Sequence, residues 1–168
     1  MTKLNKVDEL DFEWRTSQVR ISKPPTTDMS PYDYEKKEFE YIDFTLNGNS
    51  LGDILQVKGQ TIGIFDLGGY NEETVNDFLP IITKRREITL YSKPLGENIY
   101  DSYSIVCTVE IADDIVTWKD FGVPNPAWTD PIDFLRPYNF NINAYTDTLN
   151  RLFRDLTEKR KIKRTMTK

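Results

Sequence analysis

Apolar and polar side chains alternate most clearly in residues 104–111 and 115–121, two β-branched and aromatic runs flanking Ala112-Asp113-Asp114. Runs of this kind around a short polar linker predict a central β-hairpin over about residues 104–121. In its first strand Ile105, Cys107, Val109 and Ile111 share one face, so the thiol is expected to be a buried small hydrophobe. Further upstream, Phe39 and Tyr41 alternate with Glu40, and Ile42-Asp43-Phe44-Thr45-Leu46 alternates again before the turn dipeptide Asn47-Gly48, which predicts a strand ending in a turn. Asn49 or Ser50 can cap a short helix over residues 51–55, and residues 61–65 and 88–91 are further β-like runs, the second ended by Pro94 and Gly96.

The period changes to helical in two places. Val75, Phe78, Leu79 and Ile82 fall at i, i+3, i+4 and i+7 behind the capping residue Asn71, with Pro80 expected to kink or restart the helix. Tyr145, Leu149, Leu152 and Leu156 follow i, i+4, i+7 and i+11 behind Asn141 or Asn143, which predicts an amphipathic C-terminal helix over about residues 143–159, packed on the sheet. Elsewhere the pattern breaks. Residues 7–21 show no clean period and predict at most a short strand at Val19-Arg20-Ile21, and residues 23–33, with Pro24, Pro25 and Pro31, read as an extended loop. After Gly122 the prolines at 124, 126 and 131 predict a long structured loop presenting Trp128 and Phe134. The expectation is one α+β domain built on a largely antiparallel sheet: an N-terminal arm and proline-rich loop (1–37), a globular core (38–158) and a basic tail (159–168).

Composition changes this picture mainly by exclusion. The chain of 168 residues is long enough to bury a core without staples, and 38% hydrophobic residues against 29% charged ones indicate a globular chain. Residues 1–10 carry Lys3, Lys6, Asp8 and Glu9 with no apolar run, and no later stretch approaches a membrane span, so neither a secretory leader nor a membrane anchor is expected. The single cysteine is compatible with a reducing cytoplasm. There is no histidine, which removes the commonest general base and the commonest transition-metal ligand. Carboxylate-only chemistry, glycoside hydrolysis or magnesium-dependent phosphoryl transfer, stays open as the alternative.

The net charge of −5 is unevenly distributed: residues 97–134 hold eight acids against Lys119 alone, and residues 151–168 hold eight bases against Asp155 and Glu158. An acidic segment repels nucleic acid phosphates and attracts a basic partner. The basic end is read as helix-dipole complementation and a solvated terminus, with no nucleic-acid role assigned to it. Asp113-Asp114 falls at a hairpin tip and Glu72-Glu73 in a first helical turn, places where carboxylates are common for structural reasons, and Gly68-Gly69 lacks the lysine and spacing of a phosphate loop. Neither a catalytic residue, a metal ligand nor a cofactor is therefore assigned. Among the aromatics near these acids (Tyr100, Tyr103, Trp118, Trp128, Phe134 and Tyr138), Trp118 is expected in the core and Trp128 at an interface.

The order of three landmarks resembles that of small immunity proteins of bacterial polymorphic-toxin and contact-dependent growth-inhibition systems. They are residues 42–51 (IDFTLNGNSL), residues 115–121 (IVTWKDF), and Phe140 with Tyr145 and Leu149, within a span of about residues 40–155. The resemblance implies a cytoplasmic, non-catalytic inhibitor that binds a cognate toxin domain, often a basic nuclease. It carries no catalytic residue, and the segment before Phe39 lies outside it. On this reading Asp101, Asp113, Asp114, Asp120, Trp128, Asp130 and Asp133 form the expected partner-binding set. An adaptor subunit of another complex would present the same features.

Overall fold

The computed structural model describes residues 6–22, 34–57, 61–66, 72–79, 85–92, 104–125 and 127–167. The expected proline-rich loop at 23–33, the turn at Leu67-Gly68-Gly69-Tyr70, the cap Asn71, the kink at Pro80, and Ile82, Pro94, Gly96, Tyr100, Asp101 and Tyr103 lie outside these residues.

Alternation begins earlier than the pattern suggests. Leu10, Phe12 and Trp14 stand on one face of strand β1 (Leu10–Ser22), which pairs antiparallel with β2 (Tyr34–Leu46) from Leu10 opposite Leu46 to Ser22 opposite Tyr34. The expected N-terminal arm thus contains a 13-residue strand. Its period is obscured because the buried face changes along it. Phe12 and Trp14 pack on the main core, whereas Val19 is buried on the opposite face with Phe39, Tyr41 and Ile62. At the other end of β2, Asn47 (φ 53°) and Gly48 (φ 78°) make the two-residue turn to β3 (Asn49–Ser50). Both positions need the left-handed region, which Asn and Gly tolerate best. Ser50 then caps α1 (Leu51–Ile54), its hydroxyl accepting from the Asp53 amide at 3.0 Å.

The second sheet has the order β4 (Ile62–Gly63), β5 (Arg85–Ser92), β6 (Ser104–Ala112), β7 (Ile115–Pro124) and β8 (Thr129–Pro131), with β9 (Tyr138–Asn141) also pairing β7. The central hairpin β6–β7 has the expected place but a tighter turn, since Ala112 pairs with Ile115 and leaves only Asp113-Asp114, with Asp113 at φ 52°. Beyond Gly122 the expected long loop is partly replaced by a second small hairpin. β7 continues to Pro124 and residues 129–131 fold back on it, an arrangement prolines permit because β8 is an edge where no neighbour needs the Pro131 amide. β9 follows β8 on the same side of β7, beside residues 115–118.

Among the described residues, backbone hydrogen bonds from Ile42 N to Phe65 O at 2.8 Å and from Asp8 N to Asn139 O at 2.7 Å join the sheets edge to edge. Around the junctions lies one apolar core. Trp118, fully buried on β7, meets Phe44, Phe140 and Tyr145 edge-on at 5.3–6.1 Å between ring centres. Its indole N–H donates to the Tyr145 hydroxyl (3.2 Å), which donates to Phe78 O (2.9 Å) in α2 (Glu72–Phe78). Helix α3 (Ile142–Met166), capped by Asn141, buries Tyr145, Leu149, Leu152 and Leu156 as the spacing predicts. It runs past the expected end at residue 159, so most of the basic tail is helical, in keeping with the good helix propensity of Lys and Arg and the dipole at its end. Among the described residues no helix is long and apolar enough to cross a membrane.

Candidate interaction face

The β7–β8 hairpin sets the candidate face. Asn125 holds its loop closed: its amide donates to Trp128 O at 2.8 Å, while its side-chain oxygen accepts from the Ala127 and Trp128 amides at 3.1 and 3.0 Å. Gly122 lets the two strands meet, since a Cβ there would lie 2.4 Å from Thr129 Cγ2 and 2.8 Å from Asp130 O. Trp128 is 64% exposed, yet its orientation is fixed by an indole N–H bond to Asp130 Oδ1 (2.7 Å), and Asn125 Nδ2 holds the other Asp130 oxygen at 3.2 Å. Phe134, in the turn after β8, is 67% exposed. The face therefore carries two large apolar rings in water, one of them held in place by an acid.

Alternation along β8 separates the expected residues further. Trp128 and Asp130 share one side, whereas Thr129 and Pro131 turn toward a cleft of about 440 Å3. Phe121, Ile132, Leu135, Pro131 and Pro137 supply its apolar surface, and Glu87, Asp120, Asp133 and Arg85 its charged groups. Asp120 sits in a bulge: Val106 pairs with Gly122 but Thr108 with Lys119, so Cys107 opposes both Asp120 and Phe121. Asp120 has φ 52° there, and its carboxylate lies 3.8 Å from the exposed Arg85 guanidinium.

The expected binding set thus divides. Asp120, Trp128, Asp130 and Asp133 gather around the β7–β8 hairpin, on two sides of it. Asp113 and Asp114 occupy the far end of β7, beside the start of α3, where Asp114 O accepts from the Ile142 amide at 2.8 Å. Asp101 lies outside the described residues. Of the aromatics, Trp128 and Phe134 are exposed, Trp118 and Tyr138 buried.

Two polar clusters went unmarked in the sequence. Asp43, fully buried in β2, accepts from Ser50 Oγ (2.5 Å), the Gly52 amide (3.2 Å) and the Tyr91 hydroxyl, and pairs with Arg15 Nε at 3.2 Å. Arg15 also makes a bidentate pair with Asp53 at 2.8–2.9 Å, which lowers the Asp53 pKa, while burial beside Asp43 drives the Tyr91 pKa up. A carboxylate held by three hydrogen-bond donors and a guanidinium is committed to the fold. Asp8 is the second. Arg136 holds it by a bidentate pair at 2.6 and 2.9 Å, with Asn47 Nδ2 (2.9 Å) and the Asn139 amide (3.0 Å) adding donors. These bonds, Arg136 first, bring its pKa down to about 2 against the desolvation that opposes them. The local pattern gave no signal for either: Asp43 stands between Ile42 and Phe44, where alternation predicts an exposed polar residue, and Asp8 precedes the first strand.

Among the described residues no three acids or thiols stand close enough together to hold a metal ion. Among the described residues the carboxylates Asp8, Asp53 and Glu110 are shifted downward beside a cation, the direction of an ion pair. No family model, curated protein or solved structure matches this chain.

Proposed function

We propose that this protein is a non-catalytic, immunity-type inhibitor that binds a basic toxin domain in the cytoplasm of the cell that makes it. The observation that carries the reading is the pair Trp128 and Phe134, exposed on a hairpin among acids, with the indole already locked to Asp130. A tryptophan held in one orientation before binding loses little freedom on docking and offers a large apolar anchor. The surrounding carboxylates speed encounter with a cationic surface. Three hydrogen-bond donors and the Arg15 guanidinium commit the buried carboxylate of Asp43 to the fold.

The test is co-expression with the toxin domain that this reading expects a neighbouring gene to encode. Growth protection and a stoichiometric complex are expected, and Trp128→Ala should weaken binding by about 30-fold or more, the effect of losing an anchor worth ~2 kcal/mol. Because the ring is exposed, thermal stability of the variant should stay within about 0.5 kcal/mol of the parent. Absence of both complex and protection would overturn the reading.

A further inference from the structure

The cleft behind β8 has a different character from the Trp128 side of the hairpin, and it narrows the partner's chemistry. Its wall carries both polar and apolar surface, the apolar part supplied by Phe121, almost fully buried, Ile132 and Leu135, half-buried, and Pro131 and Pro137. Among the described residues its charged groups are Glu87, Asp120 and Asp133, opposed by Arg85. Arg85 does not fill the cleft. It is more than half exposed and touches Asp120 at 3.8 Å, a loose surface pair contributing little. A groove that sets apolar side chains beside net negative charge fits a side chain that is aliphatic along its stem and cationic at its tip. The planar guanidinium suits it better than an ammonium, since it can engage carboxylates in bidentate fashion and is more weakly hydrated.

We propose that this cleft receives an arginine side chain from a surface loop of the protein partner, its stem against Phe121, Ile132 and Leu135 and its guanidinium between Asp120 and Asp133. The cleft volume of about 440 Å3 exceeds that of one arginine side chain and leaves room for an adjacent residue of the same loop. The bulge supplies the acid: at φ 52° Asp120 departs from strand geometry just where β6 and β7 lose register. This inference rests on the partner-binding reading but concerns another side of the hairpin than Trp128 occupies.

The test uses the intact protein and small probes, N-acetyl-arginine amide and its uncharged analogue N-acetyl-citrulline amide, followed by amide chemical-shift perturbation. Saturable millimolar shifts at Thr108, Asp120, Phe121, Thr129 and Ile132 are expected with the arginine probe and absent with citrulline. Asp120→Asn with Asp133→Asn should weaken that binding at least five-fold, whereas Asp113→Asn with Asp114→Asn should leave it unchanged. Asparagine tolerates the left-handed backbone as aspartate does, so the fold is kept. Shifts spread evenly over all exposed acids, or undiminished in the Asp120/Asp133 variant, overturn the proposal. A toxin complex lost on Trp128→Ala but indifferent to Asp120 and Asp133 refutes the arginine cleft alone. Arginine binding in the cleft without any toxin complex refutes the inhibitor reading alone.

Discussion

At the scale of single residues, burial of charge is the informative departure from pattern. Asp8 is nearly inaccessible and tied to Arg136, Asn47 and Asn139, so its carboxyl titrates near 2 instead of the usual 3.8. A folded pKa below the unfolded one means the stabilisation is complete above pH 3.8, fades as pH falls toward 2 and is absent below that. Asp8→Asn should therefore cost about 2 kcal/mol at neutral pH, with the difference from the parent shrinking through the acid window and vanishing below it. Urea denaturation at neutral pH, pH 4 and pH 2 measures this. A difference independent of pH would assign the cost to lost packing or hydrogen bonding and not to charge. Asp43 teaches the complementary lesson. Its place in residues 42–46 was visible, but its partners come from β1, α1 and β5, and no local pattern announces such distant donors.

At the scale of elements, what could be read was what is locally self-consistent. The hairpin β6–β7, the Asn47-Gly48 turn and the apolar stripe of α3 each carry their own periodicity and turn chemistry, and all three are found where expected. β1 escaped because its inward face switches between two clusters, so Leu10, Phe12 and Trp14 fall on even positions and Val19 on an odd one. β8 escaped because prolines normally argue against a strand, and only its edge position removes the objection. The hairpin it forms depends on one small residue. Gly122→Ala would force a Cβ into Thr129 and the Asp130 backbone, so β8 should splay from β7 while the Trp118 core stays intact. The expected result is a loss of about 1–3 kcal/mol in stability, the range for overpacking a close contact, with a larger proportional loss of partner affinity. Near-parental affinity for the toxin domain would show that the hairpin's shape does not matter to binding.

At the scale of the molecule, the segregation of charge was countable from the sequence, but its placement was not. Of the described acids in residues 97–134, Asp113 and Asp114 fall at one end of β7 and Asp130 and Asp133 near the other, because a strand that leaves one turn at Asp114 reaches the next at Asn125 only after its full length. Adjacency in sequence thus became separation in space, and the expected single acidic patch became a hairpin face, a cleft and a distant tip. Binding through the first two should be sensitive to salt in its association rate, and reversing Asp130 or Asp133 should slow association more than reversing Asp113 or Asp114. Stopped-flow measurement at low and moderate ionic strength decides this, and equal effects at the two ends of β7 would return the interface to the tip.

Cys107 lies opposite the bulge with its thiol sealed beneath the sheet, and burial holds that thiol well above its ordinary pKa. A sulfur in that position is a built-in stopwatch. An alkylating reagent can reach it only when the packing around β6 opens, so the rate of modification counts such openings, including those of the floor of the arginine cleft, in the otherwise native protein. A partner loop seated in the cleft should slow that clock, and a partner gripping Trp128 alone should let it run.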